Sequence, residues 1–434
     1  MNEQLPEFGA WQSSRPQGAE GRDLFHWPGR KALGRPPRAS ITKTFMKSRK
    51  IVRRRLLFWL ALCALSACLI GCKPKGDSSG QDSQTELTLG MLAPVTGNGA
   101  RFGQDQQNGV QLAIDEINKA GGASGHKFRL VIEDTKTEPP TAVTAFTRLS
   151  ERKDLTCIFG SAASLDVPAY LPRVDSAGIP HLLPVAVLPS ITEMGSTWTF
   201  RTALNDKIAA VKMADFVVNQ LKATRVALLI EDSAFGETAL NFASEAERLG
   251  VKPLAIERFK RGDLDVKPQL TKLHSLGATH IQFWGYYTEY ALVAKQLKEL
   301  GVSAVLLGNQ APVNDKTIEL AGPALEGAMN ICLFVPTSSS PRIKEFVSRY
   351  HARFGADPDT WGAQSYDSMY LLADAIKRGG ASHDGLRGAL AKTKDFAGVT
   401  GTISFSSKGD AEFRGISIVK VAGGKFVPLE ESIK

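Results

Sequence analysis

From residue 87 onward, short apolar runs alternate with longer amphipathic stretches. Residues 87–93 are apolar except for one Thr and one Gly, which is typical of a buried strand. Four apolar residues between 110 and 117 then recur at intervals of three and four, and two consecutive glycines follow them. Because this spacing places side chains on one face of a helix, the segment predicts an amphipathic helix.

The same pattern continues through most of the chain. Further strands are predicted at 127–134, 156–160, 181–185, 225–232, 254–259, 280–285 and 304–308, with a strand-rich tail from 402, and the series restarts after 198–203. Helices are predicted at 139–152, 165–176, 206–221, 236–249, 268–276, 290–300, 341–354 and 361–378. This alternation predicts an α/β fold with helices on both faces of parallel sheets, and two doubly wound lobes hold these strands better than one very wide sheet. Two such lobes facing each other predict a ligand-binding cleft beyond the carboxyl ends of the strands.

Composition fits a globular protein and narrows the partners. The chain has 434 residues, of which 43% are hydrophobic and 22% charged. Its formal charge of +9 arises entirely from residues 1–71, which hold 13 Lys or Arg and 4 Asp or Glu. The rest of the chain is balanced in charge, so the basic surplus does not indicate a nucleic-acid partner for the folded part.

The N-terminal 71 residues predict a targeting segment. Residues 1–45 are rich in Pro, Arg, Gly and Ser and lack apolar periodicity, and we interpret them as a disordered extension or as untranslated sequence. Met46 begins a basic stretch, and residues 56–71 form an uncharged, mostly apolar run. A helix of that length spans only about 24 Å, short of the about 30 Å hydrocarbon core, so 46–71 predict a cleaved secretory signal.

The end of this signal carries a second feature. Residues 69–72 read Leu-Ile-Gly-Cys, which resembles the cleavage box of bacterial lipoproteins, in which the cysteine carries the lipid. The resemblance implies lipidation at Cys72, and Cys68, which ends a second matching box, stays open as an alternative. Cys72 is favoured because a polar tether, residues 72–85, follows at once. Several acyl chains on one cysteine hold a protein firmly at a membrane.

Cysteine usage agrees with export. Three of the five cysteines fall in the signal, which leaves Cys157 and Cys332 in the rest of the chain. Each lies in an apolar, strand-like run, and we predict two separate buried thiols. A disulfide between them stays open, because sequence alone does not establish the necessary geometry.

No catalytic or metal-binding motif stands in a fitting context. The sequence has no complete Walker A motif, no His-Glu-x-x-His and no Cys-x-x-Cys, and its seven His are scattered. A Gly-x-Ser-x-Gly match at 76–80 lies in the tether and not between a strand and a helix. The chain is therefore predicted not to be an enzyme, and no cofactor or metal is expected.

Nine short segments along the chain together form a pattern that is more specific for one protein family than any single segment. The segments lie at 87–97, 102–103, 109–122, 178–180, 200–202, 236–237, 285–289, 321–327 and 405–410. Together they strongly resemble leucine/isoleucine/valine-type periplasmic binding proteins, over about residues 86–421.

This resemblance implies the type I periplasmic binding protein fold, with two doubly wound parallel-sheet lobes joined by three hinge crossovers. The crossovers are expected near 201–204, 333–336 and 402–405. The first lobe would comprise 86–203 and 335–403, and the second would comprise 204–334 and 404–434.

The resemblance also implies ligand-binding residues. Ser164, at a predicted helix start, matches the family's carboxylate-binding hydroxyl, and a helix N-terminus favours an anion. Val185, Ala186 and Val187 align with a segment that completes the grip on the amino acid, but Val187 replaces the expected Thr or Ser. Gln310 stands where the family has a Glu that neutralises the ligand ammonium.

Aromatic residues are expected to line the same cleft. Phe102 and Phe235 replace Tyr at cleft positions, and Tyr286 follows directly after a predicted strand. Trp284, inside that strand, is interpreted as a packing residue. Because a buried ammonium without a carboxylate partner is costly, Val187 and Gln310 weigh against an unmodified α-amino acid as the ligand.

In functional terms the resemblance implies a lipid-anchored, extracytoplasmic solute-binding protein of the bacterial cell envelope. It would be a monomer that closes on a small amino-acid-like or other carboxylate or amide ligand and delivers it to the permease of an ABC importer. An envelope lipoprotein regulator that binds a protein partner on the same fold stays open as the alternative. An intact polar and aromatic cleft that binds a small ligand tightly favours transport, and a filled cleft favours the regulator.

Replacing the predicted lipidation residue tests the targeting segment. Cys72→Ala should release the protein from the membrane fraction or leave it as unprocessed precursor, because the thiol that carries the lipid is gone. Cys68→Ala is the matched control and should do neither. Labelled fatty acid and membrane fractionation measure both effects, and loss of label in the Cys68 variant alone would place the lipid on the other cysteine.

Overall fold

The computed structural model describes residues 85–97, 99–414 and 416–429. The predicted signal, both cysteines considered for lipidation and the tether up to residue 84 lie outside these residues. Within the described ranges, no helix is both long and apolar enough to cross a membrane.

The first sheet contains five parallel strands in the order β2-β1-β3-β4-β5. They are β1 (Glu86–Ala93), β2 (Lys127–Asp134), β3 (Leu155–Phe159), β4 (His181–Leu183) and β5 (Thr199–Arg201). Leu89 and Met91 pack in one hydrophobic cluster, whereas Leu92 packs in another on the opposite face. Both faces of the sheet are therefore covered, as parallel sheets require.

The second sheet contains seven strands in the order β15-β14-β10-β9-β8-β6-β7. They are β6 (Val226–Glu231), β7 (Ile256–Phe259), β8 (His280–Trp284), β9 (Val305–Gly308), β10 (Met329–Cys332), β14 (Ser417–Ala422) and β15 (Lys425–Pro428). Strands β6 to β10 are parallel, and the antiparallel strands β14 and β15 extend one edge. A third, small antiparallel sheet is formed by β11 (Phe396–Ala397), β12 (Thr402–Phe405) and β13 (Ala411–Arg414).

Helices follow most of the parallel strands. They are α1 (Ala100–Lys119), α2 (Pro139–Ser150), α3 (Val167–Ala177), α4 (Ser190–Glu193), α5 (Asp206–Asp215), α6 (Leu240–Arg248), α7 (Lys267–Ser275), α8 (Tyr287–Glu299), α9 (Asp315–Ala321), α10 (Pro341–Phe354), α11 (Thr360–Gly379) and α12 (His383–Ala391). Helices α1 and α11 approach closely at Gly109, where a Cβ atom would lie 2.1 Å from the Gly362 carbonyl oxygen. That contact requires glycine, because any side chain would clash with the backbone of the neighbouring helix.

Polar side chains fix two helix starts in the second lobe. The Asn205 side chain accepts a hydrogen bond from the Lys207 N–H at the start of α5, and Asn314 does the same for Thr317 in α9. Such caps satisfy backbone donors that have no partner within the helix. They set where the loops after β5 and β9 end, and those loops reach the site described below.

The strand–helix alternation predicted from the sequence is confirmed, with small shifts at the element ends. Strand β2 and helix α10 begin and end at the predicted residues. Helix α8 starts three residues earlier than predicted, and α9, β10 and α12 were absent from the predicted helices and strands. Cys157 and Cys332 are buried free thiols, as expected.

One predicted boundary differs from the structure. Residues 404–414 were assigned to the second lobe, but Ile403 and Ala411 both pack in the hydrophobic cluster of the first. The physical reason is the antiparallel pairing of β12 with β13, which keeps both strands of this hairpin in the same place. The chain therefore reaches the second sheet between β13 and β14, after residue 414, and not near 402–405.

A buried ion pair joins the end of β5 to this hairpin. The Arg201 side chain is fully buried, and its Nε atom donates to Asp410 Oδ1 at 2.6 Å. The same guanidinium donates to the Leu188 carbonyl and to the Thr192 hydroxyl, while Asn205 donates to the second Asp410 oxygen. Every charged atom of this pair is thus matched by hydrogen bonds at the first crossover.

Breaking this ion pair should be strongly destabilising. Arg201→Met leaves the Asp410 carboxylate without its cation, and we expect a loss of about 3–5 kcal/mol in the free energy of unfolding. Arg258→Gln, which removes an exposed arginine paired with Glu237, is the control and should change stability by less than about 1 kcal/mol. Urea denaturation compares the two, and equal losses would contradict the role given to Arg201.

Candidate functional site

The loops after the parallel strands of both sheets, together with residues of α1, α8 and α9, line a half-open cavity of about 490 Å³. From the first lobe, Gly97, Gly99, Phe102, Thr137 and Ala163 line it. From the second lobe, it is lined by residues 261–264, 286–289, Ala291, Leu292, Lys295 and Leu320. Because parallel strands point their carboxyl ends to one edge of each sheet, these loops necessarily meet across the cleft.

Aromatic side chains from both lobes meet in this cleft. The Phe102 ring on α1 lies 5.5 Å from the Tyr286 ring and 5.7 Å from the Tyr287 ring, measured between centroids. Phe235 contacts Tyr286 from the other side, with centroids 5.0 Å apart. The predicted cleft residues Phe102, Phe235 and Tyr286 are thus brought together, and Phe102 and Tyr286 also line the cavity.

Ser164 lies in the loop between β3 and α3 and is buried. Its Oγ atom accepts a hydrogen bond from the Val187 N–H at 3.0 Å. The structure therefore joins two of the predicted site residues directly. A hydroxyl can accept and donate at once, so the Ser164 proton stays available for a further acceptor.

The three predicted residues after β4 point their side chains into two different hydrophobic clusters. Val185 and Val187 pack in a hydrophobic cluster that also contains Phe102 and Phe235. The Ala186 side chain packs instead in the core of the first lobe. Only the backbone of Ala186 can therefore contribute to a site in the cleft.

Gln310 follows β9 and is fully buried. Its side-chain nitrogen donates to Asp206 Oδ1 at 2.8 Å and to the Leu204 carbonyl at 2.9 Å. Trp284 donates its indole N–H to the other Asp206 oxygen at 3.1 Å, and its ring is buried as predicted. A carboxyl group supplied by the first residue of α5 therefore lies beside Gln310, and neither of these two side chains is among those that line the cavity.

The Asp206 carboxyl is strongly perturbed. Burial raises the pKa of Asp206 to about 7, although the hydrogen bonds from Gln310 and Trp284 act in the opposite direction. Near neutral pH this group is therefore close to half ionised, and its charge depends on what lies nearby.

Arg261 is a positively charged residue of the cavity wall, and two contacts within the protein fix its side chain. Its guanidinium lies over the Tyr286 ring, 4.2 Å from the centroid, and donates to Glu231 Oε1 at 2.8 Å. Glu231 is buried at the end of β6. Burial opposes the charge on Arg261, but Tyr286 and Glu231 outweigh it and raise the pKa of Arg261 above its ordinary value.

Asp166 approaches this region from the first lobe. Its carboxyl accepts a hydrogen bond from the Ser161 hydroxyl at 2.7 Å. Burial raises the pKa of Asp166 to about 6, while the Ser161 and Thr135 hydroxyls and the Arg261 charge act in the opposite direction. The two lobes therefore influence each other electrostatically across the cleft. Among the described residues, no group of three or more His, Cys, Asp or Glu side chains is arranged to hold a metal ion.

Comparison with known proteins places this fold and cleft in a family. The model of the periplasmic binding protein family matches residues 86–425. An amino acid binding protein of Pseudomonas aeruginosa is 29% identical over 75% of this chain and 87% of its own length. The Leu/Ile/Val-binding protein homolog 3 of Brucella melitensis is 27% identical over 80% of this chain and 94% of its own.

Solved structures agree. The substrate-binding protein LivJ of Streptococcus pneumoniae, in complex with isoleucine, is similar with a TM-score of 0.73 and 27% identity, covering 80% of this chain and 100% of its own. The leucine-binding protein LivK of Thermotoga maritima has the same TM-score and identity, covering 79% and 97%. The chain belongs to the periplasmic binding protein family, which confirms the predicted type I fold. It is an extracytoplasmic solute-binding protein of ABC transport, and not an enzyme.

Sequence reasoning missed two charged residues, Arg261 on the cavity wall and Asp206 beside Gln310. Asp206 reads as an ordinary acidic residue in the first turn of a helix, and only the packing of Trp284 and Gln310 reveals its position. Arg261 follows β7 directly, and its place after a strand end was the one available signal. Neither lies in the segments that carried the family resemblance.

The buried Asp206 predicts a specific pH dependence. Its carboxyl holds a proton up to about pH 7 in the folded state but releases it near pH 4 when unfolded, so its contribution to stability falls as the pH rises between these values. Asp206→Asn mimics the protonated form. Relative to wild type, this variant should therefore gain stability from pH 4 to pH 8, by up to roughly 4 kcal/mol.

Asp134→Asn is a control of opposite sign for the same urea titrations. Burial acts to raise the pKa of Asp134, but hydrogen bonds from Thr96 and nearby backbone amides outweigh it and lower that pKa. Its stabilising effect is present above about pH 4 and is lost on acidification, so Asn should cost more at neutral than at acid pH. Parallel pH profiles for wild type and Asp206→Asn would contradict the account of Asp206.

Proposed function

We propose that this protein is a lipid-anchored binding protein that delivers a small amino-acid-like or other carboxylate or amide ligand to the permease of an ABC importer. The observation that carries the proposal is the cavity of about 490 Å³ between the lobes, walled by aromatic side chains and by Arg261. That volume falls in the range of small-molecule sites. A cavity of this kind favours transport over the alternative of a regulator with a filled cleft.

The residues around the cavity suggest how such a ligand is held. Phe102 and Tyr286 offer apolar faces from opposite lobes, which suits an aliphatic or aromatic side chain. Ser164 and the start of α3 offer donors for a carboxylate, since the Ser164 proton is not used by the Val187 contact. Asp206, beside Gln310, supplies a carboxyl close to the position where related proteins carry an acid for the ligand ammonium.

The names of similar proteins bear on the ligand class. The relatives in Pseudomonas aeruginosa and Brucella melitensis are named for amino acids and for leucine, isoleucine and valine. Asp206 offsets the loss of charge at Gln310, and this supports an amino-acid-like ligand more strongly than the sequence alone. Val187, which lacks the expected hydroxyl, still removes one donor from the grip.

Delivery depends on closure of the two lobes around the ligand. The chain passes between them at residues 201–206 and 332–341 and again between β13 and β14, and short crossovers of this kind act as hinges. A ligand that contacts both walls stabilises the closed form, which the permease then recognises. The lipid at Cys72 would keep the protein close to that permease, and a monomer is sufficient for this role.

A thermal-shift screen tests the proposed function. The full-length protein in detergent is melted with L-amino acids, aromatic carboxylic acids, amides and short polyols. A ligand present at 100 times its Kd should stabilise the fold by about 2.7 kcal/mol, which a shift in Tm reveals. We expect amino acids or other carboxylates to act, and polyols to serve as inactive controls. A protein that no small molecule stabilises, but that binds an envelope protein, would instead be a regulator.

A further inference from the structure

Arg261 has the properties of a ligand-binding cation that the family resemblance did not indicate. It lies in the loop directly after β7 and lines the cavity together with Phe102 and Tyr286. Its side chain is three-quarters buried, with 25% of its surface exposed. A cation in a half-closed, aromatic-walled cavity interacts more strongly with an anion than one on an open surface.

The guanidinium is held in one orientation. Glu231 accepts from Nη2 at 2.8 Å, and the face of the group rests on the Tyr286 ring at 4.2 Å. Glu231 is itself 2% exposed, so this contact is shielded from water. Two independent contacts therefore fix the plane of the group before any ligand arrives, which reduces the entropy cost of binding.

The contacts within the protein do not use all the donors of Arg261. A guanidinium carries five N–H groups, and the Nε atom of Arg261 is buried without a hydrogen-bond partner among the described residues. A buried donor without an acceptor is unfavourable, so the contacts within the protein leave part of the hydrogen-bonding capacity of this group unused. The exposed part of the group faces a cavity, where an acceptor from a ligand can reach it.

We infer that Arg261 binds a carboxylate of the ligand and so selects carboxylic acids over the corresponding amides. This inference rests on the proposed solute-binding function and narrows its ligand class, which until this point included amides. The planar fork of Arg261 matches the two oxygens of a carboxylate, whereas an amide offers only one acceptor and no charge. Lys295 also lines the cavity, as do the acidic residues Asp263 and Glu289, so the oriented guanidinium of Arg261, and not the overall charge of the wall, recognises the acid.

The preference for acids can be measured with matched probes. Calorimetry on the full-length protein gives the Kd of L-leucine and L-leucinamide, and of benzoate and benzamide. For each pair, the Kd of the amide is divided by the Kd of the acid. This ratio should be about ten- to hundredfold smaller in Arg261→Gln than in wild type, because the variant loses a charge-assisted hydrogen bond to the acid. Arg258→Gln, which changes an arginine on β7 that does not line the cavity, should leave the ratio unchanged.

Arg261→Lys keeps the experiment decisive if the Gln variant does not fold. Lysine retains the positive charge but lacks the planar guanidinium group. Its ratio of amide Kd to acid Kd should therefore lie between those of wild type and Arg261→Gln. An unchanged ratio in the Arg261 variants, with acids still preferred, would overturn the inference and place the carboxylate at another site such as Ser164. If none of the four probes binds wild type while an envelope protein does, the proposed function itself fails, and the inference fails with it.

Discussion

The structure depends on one constraint: a parallel strand needs cover on both faces, and its carboxyl end opens onto a loop. In both sheets this cover comes from helices, and hydrophobic clusters fill the space between the helices and the strands. The carboxyl ends of the strands are therefore the part of each sheet that is available for a site between the lobes. The cluster that covers one face of the second sheet also contains Phe102 and Val187 of the first lobe, so it joins residues of both lobes at that place. The site therefore consists of loops together with residues of α1 and α8, and the sheets hold these segments in position.

Charge in the cleft is balanced by groups that lie apart in sequence. Gln310 has no charge, but the Asp206 carboxyl lies 2.8 Å from its amide and can carry one. Arg261 is paired with Glu231 and lies within electrostatic reach of Asp166 on the opposite lobe. Replacing one of these charged residues leaves its former partner with an uncompensated charge. That charge then has to be neutralised by the ligand, so the substitution changes which ligand binds.

Much of the fold could be predicted from the sequence, because strand and helix periodicities are local. The boundary at 404 was wrong for a physical reason: antiparallel pairing of β12 with β13 is a contact between strands, which apolar spacing does not encode. At the site, Phe102, Phe235 and Tyr286 follow from the resemblance, and the structure brings them into contact. Asp206 and Arg261 could not be found in this way, since their roles depend on Trp284, Gln310 and Glu231, which lie far away in the chain.

The central claim is that two lobes close on a small ligand, and a distance across the cleft tests it most directly. Val95 and Leu264 are exposed on opposite lobes near the cavity, so spin labels at cysteines introduced there report its opening. The remaining thiols of the described chain, Cys157 and Cys332, are buried and should not react. Adding the acid that gives the largest thermal stabilisation should shorten and narrow the distance distribution measured by pulsed electron resonance. An identical distribution with and without a bound ligand would contradict closure as the basis of function.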